Sequence, residues 1–448
     1  MIRRQSKLYF CNMLWHDICN GRDATRFLKE TSFMRHALAS ILLASASVLA
    51  SGAAQAVQAA QAAKWTDSIK LDAQLDGGFV INGNTPDNGV NFGQLFTDRS
   101  DQATLNQAAL TLHRDIDSNS KGYDFGFNLQ LIYGSDVRYL PFLGEFNKMT
   151  SDRYKLVPLQ ANVAVHTPWL FEGGIDWKIG QYISPVGFET IDPATTPFYT
   201  HSYTFNFAVP FQHTGFLSVS HVSPMMDVYF GVNTGNFTTF AGGDNNSRPS
   251  GVFGFQFNNL MNGKLSVLAL TNIGPETGSL AVGPQIANSA LRFFDDIVIG
   301  YKASEKTTLT LELNYLRDEV INAESFSTVG YYSHVFNDHW TFNARVEVFR
   351  DMDNYFIAGF KEANGGWKSI KGLSTPIITA PGPGTYGDLT LGVTWKPNLP
   401  KPIAGLMLRP EVRYDRSLNG ARSFVYSDTN PMGHNGQFLF AADAILQF

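Results

Sequence analysis

The chain has 448 residues, 44% apolar and only 16% charged, with a formal net charge of −5. An acidic balance without a Lys/Arg cluster excludes a nucleic-acid binder, and so low a charged fraction is unusual for a surface lying wholly in water. Both cysteines, Cys11 and Cys19, precede residue 34, which leaves the rest of the chain no disulfide framework and no thiolate metal site.

In chain order, Met34-Arg35-His36 is a basic start and Ala37–Ala50 a short apolar run. Small residues with A-x-A sites follow. This is the pattern of a secretory signal peptide over 34–56, cut after Ala56 or Ala62. Residues 1–33 do not fit it and read as a start assigned too far upstream or a disordered extension. After Ala62 no run of eighteen apolar residues occurs, so no transmembrane helix is expected.

From there to the last residue the hydrophobic period is two. Sixteen segments carry it: 68–81, 103–115, 123–133, 159–166, 175–183, 212–222, 226–235, 251–258, 263–272, 294–303, 307–315, 326–336, 339–349, 386–396, 405–415 and 437–448. In 123–133, Tyr123, Phe125, Phe127, Leu129, Leu131 and Tyr133 alternate with Asp124, Gly126, Asn128, Gln130 and Ile132. The patterns of 103–115 and 212–222 are poor. In the cleanest strands the charges, Asp124, Glu312, Arg345, Glu347, Arg409, Glu411, Arg413 and Asp415, all fall opposite the aliphatics. Trp177, Trp340, Trp395, Tyr331 and Tyr332 lie near strand ends, where interfacial aromatic girdles sit.

The connections alternate between long (82–102, 134–158, 184–211, 236–250, 273–293, 316–325, 350–385, 416–436) and short. A soluble sandwich has no reason to sort loop length by parity, whereas a transmembrane barrel has short periplasmic turns and longer outer loops. Residues 65–448 are therefore expected to form one all-β domain, a transmembrane antiparallel up-and-down barrel of about 16 strands, with 14 to 18 as the range. The expected place is the outer membrane of a Gram-negative bacterium, with membrane lipid around the wall. In the final strand Phe438, Phe440, Ala442, Ala444, Leu446 and Phe448 share one face, and Phe448 resembles the aromatic insertion signal read by the barrel-assembly machinery.

A barrel this wide holds an aqueous channel. That predicts a porin for small hydrophilic solutes. The alternatives are a substrate-specific sugar or organic-acid channel and a soluble periplasmic all-β binding protein. If 184–211 is the third outer loop, it takes the place of the connection that narrows general porins. Glu189 and Asp192 are then candidates for the acidic side of a constriction, and Arg345, Arg409 and Arg413 for a facing cationic ladder. Glu312, Glu347, Glu411 and Asp415 are further pore-lining candidates, with pairing between neighbouring strands as the plain alternative. A homotrimer is expected by the same analogy.

The stretch 180–216 carries Gly180, the turn Pro185-Val186-Gly187-Phe188-Glu189, the aromatic run Tyr199 to Phe205, and His213-Thr214-Gly215. It resembles the signature part of the OmpL-like β-barrel porin family, and the likeness extends loosely over 65–448. The resemblance implies an outer-membrane barrel and passive transport, and it brings no catalytic residues. No enzyme, cofactor or metal is expected. Ser218, Ser220 and His221 on one segment are a weak echo of a lipase, and GGDNNS at 242–247 is read as a loop rather than a calcium site.

Overall fold

The computed structural model describes residues 65–140, 153–236, 238, 245–359, 378–379, 383–424 and 433–448. The expected signal peptide, its cleavage sites, residues 1–33 and part of 242–247 lie outside these residues. Period-two sequence becomes strand almost throughout. In order these are β1 (Lys70–Asn82), β2 (Gln102–Arg114), β3 (Asp124–Gly134), β4 (Lys155–Thr167), β5 (Ile175–Ile183), β6 (Gln212–Ser223), β7 (Met226–Asn236), β8 (Ser250–Asn259) and β9 (Leu265–Gly274). There follow β10 (Arg292–Ser304), β11 (Thr307–Asp318), β12 (Ala323–Asn337), β13 (Trp340–Asp351), β14 (Ala358–Gly359), β15 (Ile378–Thr379), β16 (Gly384–Trp395), β17 (Gly405–Ser417) and β18 (Gly436–Gln447).

The sixteen long strands close into one antiparallel barrel in chain order, with β1 paired to β18, while β14 and β15 form a separate ladder. Closure satisfies the backbone of every wall strand and leaves no edge, as hydrocarbon demands. Phe448 completes the seam: its N–H donates to the Ala73 carbonyl at 2.9 Å.

The two strands with poor patterns contain irregular pairing. Opposite β2 the register slips between Asp76 and Gly77, leaving Asn106 as an extra residue, and β6 slips against β7 at both ends. A bulge shifts the alternation by one, which blurs the period in sequence. Strand β4 begins four residues earlier than the pattern suggests, because Pro158 interrupts it and Leu159 bulges between the pairs Gln130–Gln160 and Leu131–Pro158. The sixth long connection, expected over 316–325, is only 319–322, since β11 and β12 both run further.

The apolar stripe faces out. Phe125, Leu129, Leu131 and Tyr133 of β3 are exposed, whereas Ile132 between them is 1% exposed. Leu75 and Phe79 of β1, Leu309 and Leu311 of β11, Val346 and Val348 of β13, and Phe438 and Phe440 of β18 repeat this around the cylinder. A sandwich of two sheets would have buried one such face against the other. Here the outer face meets lipid, and the buried cluster, including Phe92, Phe96, Tyr139, Tyr203, Phe205 and Phe211, is built largely from connections between strands.

Candidate functional site

Residues 184–211, between β5 and β6, fold into the bore. The segment carries a 3-10 turn, Pro193–Thr195, capped by the Asp192 carboxylate accepting from Ala194 N–H, and a short helix, Tyr203–Phe207, capped by Ser202 Oγ accepting from Phe205 N–H. An irregular segment cut off from water must find partners for its peptide groups. Alternation in the wall strands supplies them, because every second side chain points inward.

Four wall carboxylates accept loop N–H groups. Asp296 of β10 takes Gly187 at 2.9 Å, and Glu312 of β11 takes Phe188 at 3.1 Å. Glu347 of β13 takes Tyr203 and Thr204 at 2.7 and 2.8 Å, and Glu411 of β17 takes Tyr199 and Thr200 at 2.8 and 3.0 Å. Three guanidiniums donate to loop carbonyls. Arg345 reaches Thr200 at 2.7 Å, Arg409 reaches Pro193 and Thr196 at 2.8 and 2.7 Å, and Arg413 reaches His201 at 2.6 Å. Gly78 of β1 makes room for the loop, since a Cβ there would lie 2.6 Å from the Tyr199 ring.

The charges are also paired with one another. Arg345 bridges Glu189 at 3.0 Å and Asp388 at 2.6 Å, Arg409 pairs with Asp443, and Arg413 with Asp415. Tyr203 O–H donates to Asp415 and Tyr331 O–H to Glu189. Burial alone would push the Glu189 carboxyl up, but Arg345, with His201 and Tyr331, outweighs it and holds the group down to about 2.

The structure thus brings the candidate residues into one network, yet not as two faces across an open gap. Glu189 touches Arg345, while Arg409 and Arg413 meet loop carbonyls and wall aspartates. Asp192 lies apart from the arginines, where its carboxylate accepts from Gln74 at 3.1 Å. Sequence reasoning missed Asp296, Asp388, Asp443 and Thr200. Asp443 shares its face with Leu439 and Ala441, both fully buried, so alternation did mark it as inward. Tyr331, read as a girdle residue, turns inward because its neighbour Tyr332 faces out, and adjacent strand residues take opposite faces.

On the β1–β4 wall the bore is different. A cavity of about 500 Å³ is lined by Gln74, Gln107, Gln130, Gln160, Gln447 and Asn128, with Asp72, Asp115, Asp192, Thr111 and His113 among the other polar groups. Its apolar lining includes Ile132, Leu159 and Ile191, which belong to the buried cluster that also holds Val186 and Phe211.

Neither ring nitrogen of His221 faces a serine. They lie 3.0 and 2.7 Å from Asp176 and Asp227, and Ser218 Oγ donates to the Phe230 carbonyl. Among the described residues no group of three or more His, Cys, Asp or Glu is arranged to hold a metal ion.

Residues 68–448 match the family described as "Putative beta-barrel porin-2, OmpL-like". No curated protein sequence matches the chain. Among solved structures, the fold resembles the anion-selective porin from Comamonas acidovorans at 11% identity and a TM-score of 0.51, over 85% of this chain and 99% of that one. It also resembles a loop-deletion mutant of OmpT, an outer membrane protein of Vibrio cholerae, at 9% identity and a TM-score of 0.50, over 85% and 99%. At these identities the likeness concerns the fold alone.

Proposed function

The chain belongs to the OmpL-like β-barrel porin family and is an outer-membrane porin; on that premise we propose that it passes small hydrophilic solutes by passive diffusion, through a bore narrowed by residues 184–211. The observation that carries this reading is the docking of that segment: its N–H groups rest on Asp296, Glu312, Glu347 and Glu411, and its carbonyls on Arg345, Arg409 and Arg413. Charges so fully engaged act on solutes by fixing the width of the passage more than by a transverse field. Conductance of the refolded barrel in a planar bilayer tests the reading. Stepwise ohmic openings are expected, and a protein that inserts without conducting would end it.

A second reading, a substrate-specific channel, draws support from the apolar cluster that joins Val186, Ile191 and Phe211 of the loop to Ile132 and Leu159 of the facing wall. A dry constriction slows hydrated ions unless a solute makes compensating contacts. Saturable block of the current by a solute separates this from general diffusion.

Export through a signal peptide over 34–56, delivery to the barrel-assembly machinery by the strand ending in Phe448, and assembly as a homotrimer complete the proposal. The first rests on sequence pattern, the second on the terminal aromatic, the third on analogy with general porins. Mass analysis of the exported N-terminus, insertion of a Phe448→Ala variant, and migration of unheated protein in gels test them in turn.

A further inference from the structure

We propose that the chamber on the β1–β4 wall is a binding site for an uncharged polyhydroxylated solute, a mono- or disaccharide, passing through the channel. The inference rests on the porin reading and adds a substrate class to it. Neutral amides are the commonest polar groups of the lining. Gln74, Gln130, Gln160, Gln447 and Asn128 offer carboxamides, each with an acceptor oxygen and a donor nitrogen, which matches a hydroxyl that both donates and accepts, while Gln107 is held by Asp136 and the Ile191 carbonyl.

The amides are pre-ordered in two relays. Gln447 donates to Gln74 at 3.1 Å and Gln74 to Asp192 at 3.1 Å. Gln160 donates to Gln130 at 3.2 Å and Gln130 to Thr111 at 3.0 Å. Asn128 stands two residues along β3 from Gln130, on the side away from Gln74, and also lines an adjoining cavity of about 270 Å³.

Charge narrows the class. No Lys or Arg lines the chamber among the described residues, so a carboxylate solute would meet Asp72, Asp115 and Asp192 without a compensating cation. Those carboxylates are themselves engaged: Asp72 and Asp115 lie 2.8 and 3.2 Å from the two ring nitrogens of His113, and Asp192 caps the 3-10 turn. The Asp72 and Asp115 side chains remain 60% and 74% exposed, so a cationic solute is the competing class that the test must separate. The volume suits a sugar, within the range of roughly 300–1,000 Å³ usual for ligand sites.

The test uses the refolded full-length barrel in planar bilayers, with sucrose, glucose, gluconate and glucosamine hydrochloride as probes, alongside calorimetry of sucrose binding in detergent. Sucrose or glucose should block the current reversibly, gluconate should not, and glucosamine should block no better than glucose. In a Q130L/Q160L double variant, with block measured against the variant's own open-channel current, the half-blocking sugar concentration should rise at least tenfold. Stronger block by gluconate or glucosamine, or block unchanged in the variant, would overturn the inference. A barrel that does not conduct at all would sink the porin reading instead. Calorimetry then decides the site by itself: sucrose heat lost in the variant supports it, and no heat in the parent overturns it.

Discussion

Across the bore, the two walls differ in chemistry. From β10 to β18 the inward positions hold Asp296, Glu312, Arg345, Glu347, Arg409, Glu411 and Arg413, all buried and all bonded to the loop. From β1 to β4 they hold mainly neutral amides around a cavity. The difference shows what buried charge is for in this molecule. An ion removed from water is tolerable only when it is paired and hydrogen-bonded, and here the peptide groups of a folded-in loop are among the partners. The charged wall is therefore an anchor. The amide wall holds the same loop only by neutral contacts, Gln74 to Asp192, Gln107 to the Ile191 carbonyl and Asn106 from the Tyr199 hydroxyl, and its remaining amides are left to face solute.

Breaking the anchor tests this contrast most severely. Arg345→Ala leaves Glu189 and Asp388 buried without their shared cation, and removing one partner of such a set costs roughly 3–5 kcal/mol. The expected outcome is a released loop in a barrel that still closes: larger single-channel conductance and new protease cleavage within 184–211, with the barrel's β circular dichroism kept. Arg345→Lys should restore little, since one ammonium cannot serve Glu189, Asp388 and the Thr200 carbonyl in the guanidinium's planar geometry. Unchanged conductance in both variants would show that the loop is held by its apolar cluster instead.

Much of this was legible in the sequence. Period two located all sixteen wall strands, and the same alternation put Glu312, Glu347, Glu411 and the three arginines on the inner face. What they would touch was not legible. Periodicity reports which face a residue takes, whereas the partner of Glu411 is a peptide group 212 residues away in Tyr199. The amide chamber escaped notice for a related reason: Gln74, Gln130 and Gln160 read singly as ordinary polar positions, and only closure of the barrel puts β1, β3 and β4 around one space. Asp296 was hidden by its neighbour Asp295, which is exposed on the other face.

The outer face supplies the next prediction. Leu311→Arg places a cation on the lipid side of β11 and should lower stability in vesicles by roughly 2–4 kcal/mol if the site lies near the midplane. Gln160→Arg, a change of similar size on the inner amide wall, should cost far less. Urea unfolding in vesicles compares them, and equal costs would mean that the faces are not lipid and lumen.

Acid should act on the anchor in a defined window. A carboxyl held below its usual value of 4.5 stabilises the docked loop while ionised, so that contribution is complete above 4.5 and is lost as pH falls through about 2. The part of the anchor that Glu189 supplies should therefore stay constant from pH 7 to 5 and be lost only on approach to pH 2. Release near pH 6 would point to a titrating group other than Glu189.

The smallest effect belongs to the rim. Trp340 and Trp395 end adjacent strands, pair in register and stack with ring centroids 5.7 Å apart and planes 17° from parallel. Both remain more than a third exposed, as interfacial rings should be when an apolar body sits beside lipid and an N–H meets the wet boundary. Neither touches the anchor or the chamber, so Trp395→Ala should leave conductance and sugar block alone. Lost stacking should lower unfolding stability by about 0.5–1.5 kcal/mol, and a cycle with Trp340→Ala should show most of that as coupling between the two rings. Tryptophan emission moving to the blue on transfer from detergent to vesicles, and moving less in Trp395→Ala, would tie the pair to the membrane boundary. A variant that instead alters conductance would mean that the rim and the bore are mechanically linked, contrary to the division of labour between the faces of this wall.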